Sequence, residues 1–189
     1  EEHPEQFQLV RNRGDLTRVL APWDEKPADP LAQPAITHPT GLLMLMESAE
    51  PMGDPRNMEE WWQAGVRLVG PVWAGTRYCG GTLHPEGSFT REGYALLDVM
   101  AGLGMILDLS HMNEISTLQA LDHYAGTVVA SHANARSVLR RPENERHFTD
   151  QTINRLLERD GVIGVIPFSR FLRGDWQRED PPEQTTLDH

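Results

Sequence analysis

Two histidines, each directly after a largely apolar stretch and a serine, are the residues of this chain best suited to chemistry. His111 ends the stretch 105–111, and His132 ends the stretch 128–132. Apolar runs of this kind are typical of strands buried on both faces of a parallel sheet. Metals and substrates bind at the carboxyl ends of such strands. Two imidazoles at the ends of consecutive strands therefore indicate a metal site.

A carboxylate after a third predicted strand completes a ligand set. The stretch 41–46 predicts a strand that ends at Glu47. Imidazole nitrogen and carboxylate oxygen are ligands of catalytic zinc, which keeps one position open for a water. Glu50 is a competing candidate, but it lies past the strand end. Asp108 lies inside its strand, and both a structural hydrogen-bonding role and the orientation of a metal-bound imidazole are compatible with that position.

Segments of strand and helix character alternate from residue 41 onwards, which favours an α/β fold with a parallel sheet. The predicted strands are 41–46, 66–73, 105–111, 128–132 and 162–168. Helices are predicted after the caps Asn57, Thr90, Asn113 and Thr149 or Asp150, with a short helix at 135–139. Residues 1–40 are expected to be irregular apart from a short helix at 16–20, residues 41–169 to carry the metal site, and residues 170–189 to form a polar tail.

Composition excludes several classes of partner. The 189 residues carry a formal net charge of −11, which argues against binding to nucleic acid or to an anionic membrane surface. The chain has no run of 18 apolar residues that would predict a membrane span. We see no signal-peptide pattern at its start, and a cytoplasmic location is expected. Cys79 is the single cysteine, so no disulfide forms within the chain.

Several motifs together resemble the membrane dipeptidase (renal dipeptidase) family of zinc peptidases, peptidase family M19. They are Asp-Leu-Ser-His at 108–111, Ala-Ser-His-Ala at 130–133, Gly-Val-Arg at 65–67 and the glutamate at 47. The resemblance covers about residues 41–168. It implies part of a (β/α)₈ TIM barrel of the metal-dependent hydrolase type, with about five parallel strands. The implied activity is hydrolysis of dipeptides by a water that zinc activates.

The resemblance also implies roles for individual residues. Glu47, His111 and His132 would hold one zinc ion, and Glu47 would reach a second. Arg146 resembles the arginine that binds the dipeptide carboxylate, a task that suits a bidentate guanidinium. An exposed charge before a helix is the alternative for this residue. Trp73 stands where many family members have a histidine that contacts the substrate.

The chain also departs from the family pattern. The first-strand His-x-Asp pair of the second zinc site does not occur before Glu47, and His147 replaces the usual asparagine after the arginine. The catalytic aspartate of the family belongs to a later segment, so no catalytic residue is assigned here. The chain is therefore expected to be a middle portion with at most one complete zinc site, and its activity alone stays open. Five strands do not close an eight-stranded barrel, and the first and fifth would expose edges.

Two other functions stay open. One is that of another barrel metal-dependent amidohydrolase, acting on a cyclic amide or an ester. The other is that of a non-catalytic barrel homologue that serves as a metal-binding or interaction module, for which Trp73 is the best hint. For the enzyme, the expected partner is a small peptide, and the sequence leaves a homodimer open.

Overall fold

Alternating strands and helices make up the computed structural model, which describes residues 3, 5–24, 38–139, 145–173, 175–181 and 185. In chain order the elements are β1 (Phe7–Leu9), α1 (Arg13–Leu20), β2 (Thr40–Leu42), β3 (Met44–Met46), α2 (Met58–Ala64), β4 (Val66–Val69), α3 (Arg91–Gly102), β5 (Ile106–Asp108), α4 (Glu114–His123), β6 (Val128–Ala130), α5 (Asp150–Leu157), β7 (Val162–Ile163) and α6 (Ser169–Leu172). Parts of the predicted segments 1–40 and 170–189 lie outside the described residues.

The main sheet has five parallel strands in the order β3-β4-β5-β6-β7. Helices α2 to α5 connect them in turn, so each crossover is a βαβ unit. Neighbours in the sheet are neighbours in the chain, as in the wall of a (β/α)₈ barrel. The predicted α/β class with five parallel strands is confirmed. In the described part of this sheet, β3 and β7 form the two edges.

The core lies between the sheet and the helices. Leu107 of β5 and Leu96, Leu97 and Met100 of α3 are completely buried and belong to one apolar cluster. Their positions in α3 recur at helical spacing, so a single face of the helix packs against the sheet. This packing holds β5, which ends three residues before His111, in the middle of the sheet.

Three of the four predicted helix caps are confirmed. The side chains of Thr90, Asn113 and Thr149 each accept a hydrogen bond from the backbone N–H three residues later. Asn57 stands at the predicted position directly before α2, but its side chain does not cap the helix and instead donates to the Met52 carbonyl oxygen at 3.0 Å. A 3₁₀ turn over Pro55–Asn57 already leads into α2, so the chain enters the helix without a capping side chain at Asn57.

The predicted strand 41–46 is two strands. It breaks at Leu43, and β2 pairs with β1 in a separate two-stranded parallel sheet, whereas β3 joins the main sheet. Strand β1 lies within the segment that was expected to be irregular apart from one helix. That helix is confirmed as α1 (Arg13–Leu20).

Other elements are shorter than predicted. Strand β4 ends two residues before Pro71, which has no N–H for a sheet. Strand β7 ends at Ile163. The predicted helix 135–139 is a 3₁₀ turn over Arg136–Val138. Short helix α6 overlaps the start of the predicted tail.

Gly164 allows β7 to pass close to the end of β6, because a Cβ there would lie 2.0 Å from the Ser131 carbonyl oxygen. Among the described residues, none of the helices is both long and apolar enough to cross a membrane.

Candidate metal centre

Three side chains from separate strand ends meet at the carboxyl edge of the sheet. Glu47 directly follows β3, His111 follows β5, and His132 follows β6. His111 has a backbone φ of 68°, in the left-handed region that non-glycine residues rarely adopt. Backbone conformations of this kind are concentrated at functional sites. Here the unusual conformation belongs to one of the three residues that converge.

The three side chains place their ligand atoms in a small triangle. His111 Nε2 lies 2.9 Å from His132 Nε2 and 3.0 Å from Glu47 Oε1, and His132 Nε2 lies 3.1 Å from the same oxygen. Among the described residues, Glu47, His111 and His132 form a group of three His, Cys, Asp or Glu side chains that lie close enough together to share one metal ion. The side chains are exposed to different degrees: 12% for His111, 32% for His132 and 48% for Glu47.

Burial keeps the His111 ring neutral. It lowers the pKa of His111 to about 4, with further lowering by Arg146 and His132, while the Glu47 carboxylate acts in the opposite direction. At neutral pH the ring therefore carries no charge. Neutral imidazole is the form that binds a metal ion.

The contacts of the triangle favour a cation at its centre. With Glu47 ionised, no placement of ring protons turns all three contacts into hydrogen bonds. Two donor nitrogens would oppose each other, and an acceptor nitrogen would oppose the carboxylate. A tetrahedral ion with bonds of about 2.0–2.2 Å spaces its ligand atoms about 3.4 Å apart, close to the distances between these atoms. The donor set and its geometry therefore fit an ion of the zinc type.

A hydrogen-bonded group stands behind His132. Ser131 Oγ lies 2.7 Å from His132 Nδ1 and 2.5 Å from a carboxylate oxygen of Asp108, which is 1% exposed. The sequence left two roles open for Asp108 and did not single out Ser131. The only signal was the repeated serine before each histidine.

Arg146 and Trp73 border this centre. Arg146 is 6% exposed and donates to the His132 carbonyl oxygen at 2.7 Å. Burial lowers the pKa of Arg146 from its ordinary value, whereas the nearby Asp108 and Glu47 raise it. Trp73 is 53% exposed, and its ring lies 5.6 Å from the ring of His111. Their roles toward a substrate stay predictions.

Glu50, the competing candidate, lies in a different group. Its carboxylate binds the guanidinium of Arg77 at 2.8 Å and accepts the Arg77 backbone N–H at 3.2 Å. These bonds lower the pKa of Glu50. The structure therefore joins Glu47, and not Glu50, to the two histidines.

Comparisons with known proteins agree with the fold. An uncharacterized Klebsiella pneumoniae protein in the pqqA 5′ region is 32% identical over 146 residues, 71% of this chain and 52% of that protein. The dipeptidase verJ of Clonostachys rogersoniana is 26% identical over 79% of this chain and 37% of its own length. The chain thus spans about half the length of the first of these relatives and less of the second.

A solved structure gives the same result. The metallo peptidase from Rhodobacter sphaeroides, liganded with a phosphinate mimic of the dipeptide L-Ala-D-Ala, superposes with a TM-score of 0.72 and 26% identity. The match covers 90% of this chain and 46% of that one. The model of the membrane dipeptidase family, peptidase family M19, matches residues 25–189. The chain belongs to the membrane dipeptidase family, peptidase family M19.

Proposed function

We propose that the protein containing this chain hydrolyses dipeptides with the help of a zinc ion held by Glu47, His111 and His132. The observation that carries the proposal is the triangle of three ligand atoms at the carboxyl edge of the sheet, where barrel enzymes have their active sites. The Rhodobacter relative bound to a dipeptide mimic supports a dipeptide as the substrate.

When bound, the ion supplies a water of lowered pKa and polarises the scissile carbonyl. The protein residues provide the remaining interactions. The imidazoles of His111 and His132 would bind the ion in their neutral form, and the Glu47 carboxylate would partly neutralise a divalent cation. Because Glu47 is the most exposed of the three, it leaves one side of the centre open to a substrate.

Arg146 is the candidate group for the substrate carboxylate. It lies beside the centre, and its guanidinium is held by the His132 carbonyl oxygen. A bidentate pair with a carboxylate would fix the C-terminal end of a dipeptide next to the ion. The exposed indole of Trp73 would form an apolar wall against a substrate side chain on the side of His111.

Steady-state kinetics on dipeptides and their C-terminal amides test this proposal. Zinc-loaded protein should hydrolyse dipeptides, lose the activity with a chelator and regain it with zinc. Arg146→Ala should lower kcat/KM for a dipeptide by about 30- to 1000-fold, equivalent to about 2–4 kcal/mol, mainly through KM. On the amide, which has no carboxylate, the loss should be much smaller.

An equal loss on both substrates would show that Arg146 is not the carboxylate ligand. Turnover of cyclic amides or esters but not dipeptides would favour a different amidohydrolase, and zinc binding without any turnover would favour a non-catalytic module. The cytoplasmic location and a homodimer stay predictions, which fractionation and the solution mass of the whole protein can check.

A further inference from the structure

The two oxygens of the Asp108 carboxylate have different hydrogen-bond partners. Oδ1 accepts the backbone N–H groups of Ser110 at 3.0 Å and Ser131 at 2.9 Å. Oδ2 accepts the Ser131 hydroxyl at 2.5 Å. The first oxygen joins the ends of β5 and β6. The second contacts a side chain that itself touches a candidate metal ligand.

The directions of these hydrogen bonds determine which nitrogen of His132 carries the proton. An ionised carboxylate accepts only, so the single proton of the Ser131 hydroxyl points to Asp108. Ser131 Oγ can then only accept from its remaining neighbours, which are His132 Nδ1 at 2.7 Å and the Ser110 hydroxyl at 3.4 Å. The ring proton therefore lies on Nδ1, and Nε2 presents its lone pair to Glu47 and His111.

We infer that Asp108, acting through the Ser131 hydroxyl, is a positioning residue that fixes the Nδ1–H tautomer and the ring orientation of His132 for metal binding. The inference rests on the proposed metal site. A buried partner on the far nitrogen of a metal-binding imidazole typically changes metal affinity by about 10- to 100-fold. Here the Asp108 carboxylate does not touch the His132 ring, because the Ser131 hydroxyl lies between them.

The main alternative is that Asp108 only joins two strand ends. The two oxygens make the alternatives separable. Ser131→Ala removes the link to the His132 ring and leaves both backbone hydrogen bonds to Oδ1 in place. Ser131→Thr retains a hydroxyl and is the rescue variant.

Ser110→Ala is a matched control. Ser110 Oγ accepts the backbone N–H of His132 at 3.1 Å and lies 3.4 Å from Ser131 Oγ, but it does not bond to Nδ1. Both serines lie directly before a histidine at a strand end. A hydroxyl removed at residue 110 therefore disturbs the same region without changing the partner of the ring.

The experiment combines nitrogen-15 NMR of the histidine rings in the metal-free protein with zinc titration by calorimetry. Wild type and Ser131→Thr should show His132 as the Nδ1–H tautomer, and Ser131→Ala should shift it toward Nε2–H. The zinc Kd of Ser131→Ala should rise by about 10- to 100-fold, whereas Ser110→Ala should stay within about threefold of wild type. Thermal unfolding of each variant shows whether it is folded.

A wild-type His132 with its proton on Nε2, or a Ser131→Ala protein with unchanged tautomer and unchanged Kd, would overturn the inference. The NMR result on wild type does not depend on any variant folding. Failure of the proposed function gives a different pattern: the wild-type protein would bind no zinc or hydrolyse no dipeptide while His132 still showed the Nδ1–H tautomer.

Discussion

The two sides of the metal centre are built differently. His111 and His132 follow strands β5 and β6, in which Leu107 and Ala130 are completely buried. Hydrogen bonds to Asp108 connect the ends of these two strands. Glu47 follows the edge strand β3, and nearly half of its side chain is exposed. The histidine side is therefore pre-organised by packing and hydrogen bonds, whereas the glutamate side is free to adjust to a ligand.

Truncation of core side chains should show this difference most strongly. Leu107→Ala in β5 removes a completely buried side chain and should lower the free energy of unfolding by about 2–5 kcal/mol. Leu45→Ala in β3, at 37% exposure, should cost about 1 kcal/mol because less apolar area returns to water. Urea unfolding of both variants measures the two values. Equal losses would show that β3 is as tightly packed as β5.

Asp108 should contribute more to stability than an exposed carboxylate does. Asp108→Ala leaves the buried backbone N–H of Ser110 and the partly buried N–H of Ser131 without their acceptor, and it should cost about 2–3 kcal/mol. Glu50→Ala breaks a partly exposed ion pair with Arg77 and an exposed hydrogen bond from the Arg77 backbone N–H, and it should cost about 0.2–1 kcal/mol. Thermal unfolding at neutral pH compares the two. A small loss for Asp108→Ala would mean that water replaces its contacts.

Stability should fall when the pH drops below about 6.5. Burial first, and then Arg146 and Arg136, lower the pKa of His147 to about 4. In the unfolded chain this pKa is about 6.5, so between these values the unfolded state binds a proton that the folded state does not. The free energy of unfolding should decrease over that range by about 3 kcal/mol from His147, and His111 acts in the same direction.

His147→Asn should reduce this pH dependence, since asparagine does not titrate. His84→Asn, at an exposed histidine, is the control and should retain the wild-type slope. Urea unfolding between pH 4 and pH 7 decides the matter. A slope unaffected by His147→Asn would mean that this ring titrates equally in the folded and unfolded states.

The smallest effect is expected at the other edge. Val162 in β7 is 66% exposed, and Val162→Thr should change stability by no more than about 0.5 kcal/mol. The same unfolding assay applies. A loss above about 1 kcal/mol would show that another part of the protein, or a second copy, covers this edge in solution.

The sequence was sufficient to predict the centre of the molecule but less so its edges. Strands β5 and β6 combine an apolar run with a histidine motif. The burial of each strand and the polar residue at its end could therefore be predicted from the local sequence. The break at Leu43 could not be predicted in this way, because β2 pairs with β1, which lies more than 30 residues earlier in the chain. Such pairing depends on tertiary contacts that no local pattern records.

The site shows the same limit. Convergence of the three strand ends follows from parallel topology, so the residues could be named from the sequence. The link from Asp108 through Ser131 to His132 depends on the direction of hydroxyl hydrogen bonds across two strands. Only the folded arrangement distinguishes that role from a purely structural one.

Zinc titration of the metal-free protein, compared among wild type, His132→Ala and Glu47→Gln, tests the central claim most directly. Wild type should bind one zinc ion at this centre. Structural zinc sites with four ligands have binding free energies of about 10–16 kcal/mol, which is about 3 kcal/mol per ligand. His132→Ala should therefore weaken zinc binding by about a hundredfold or more. Glu47→Gln, on the exposed side, should weaken it less. A His132→Ala protein that binds zinc as tightly as wild type would contradict the claim that these residues form a metal site.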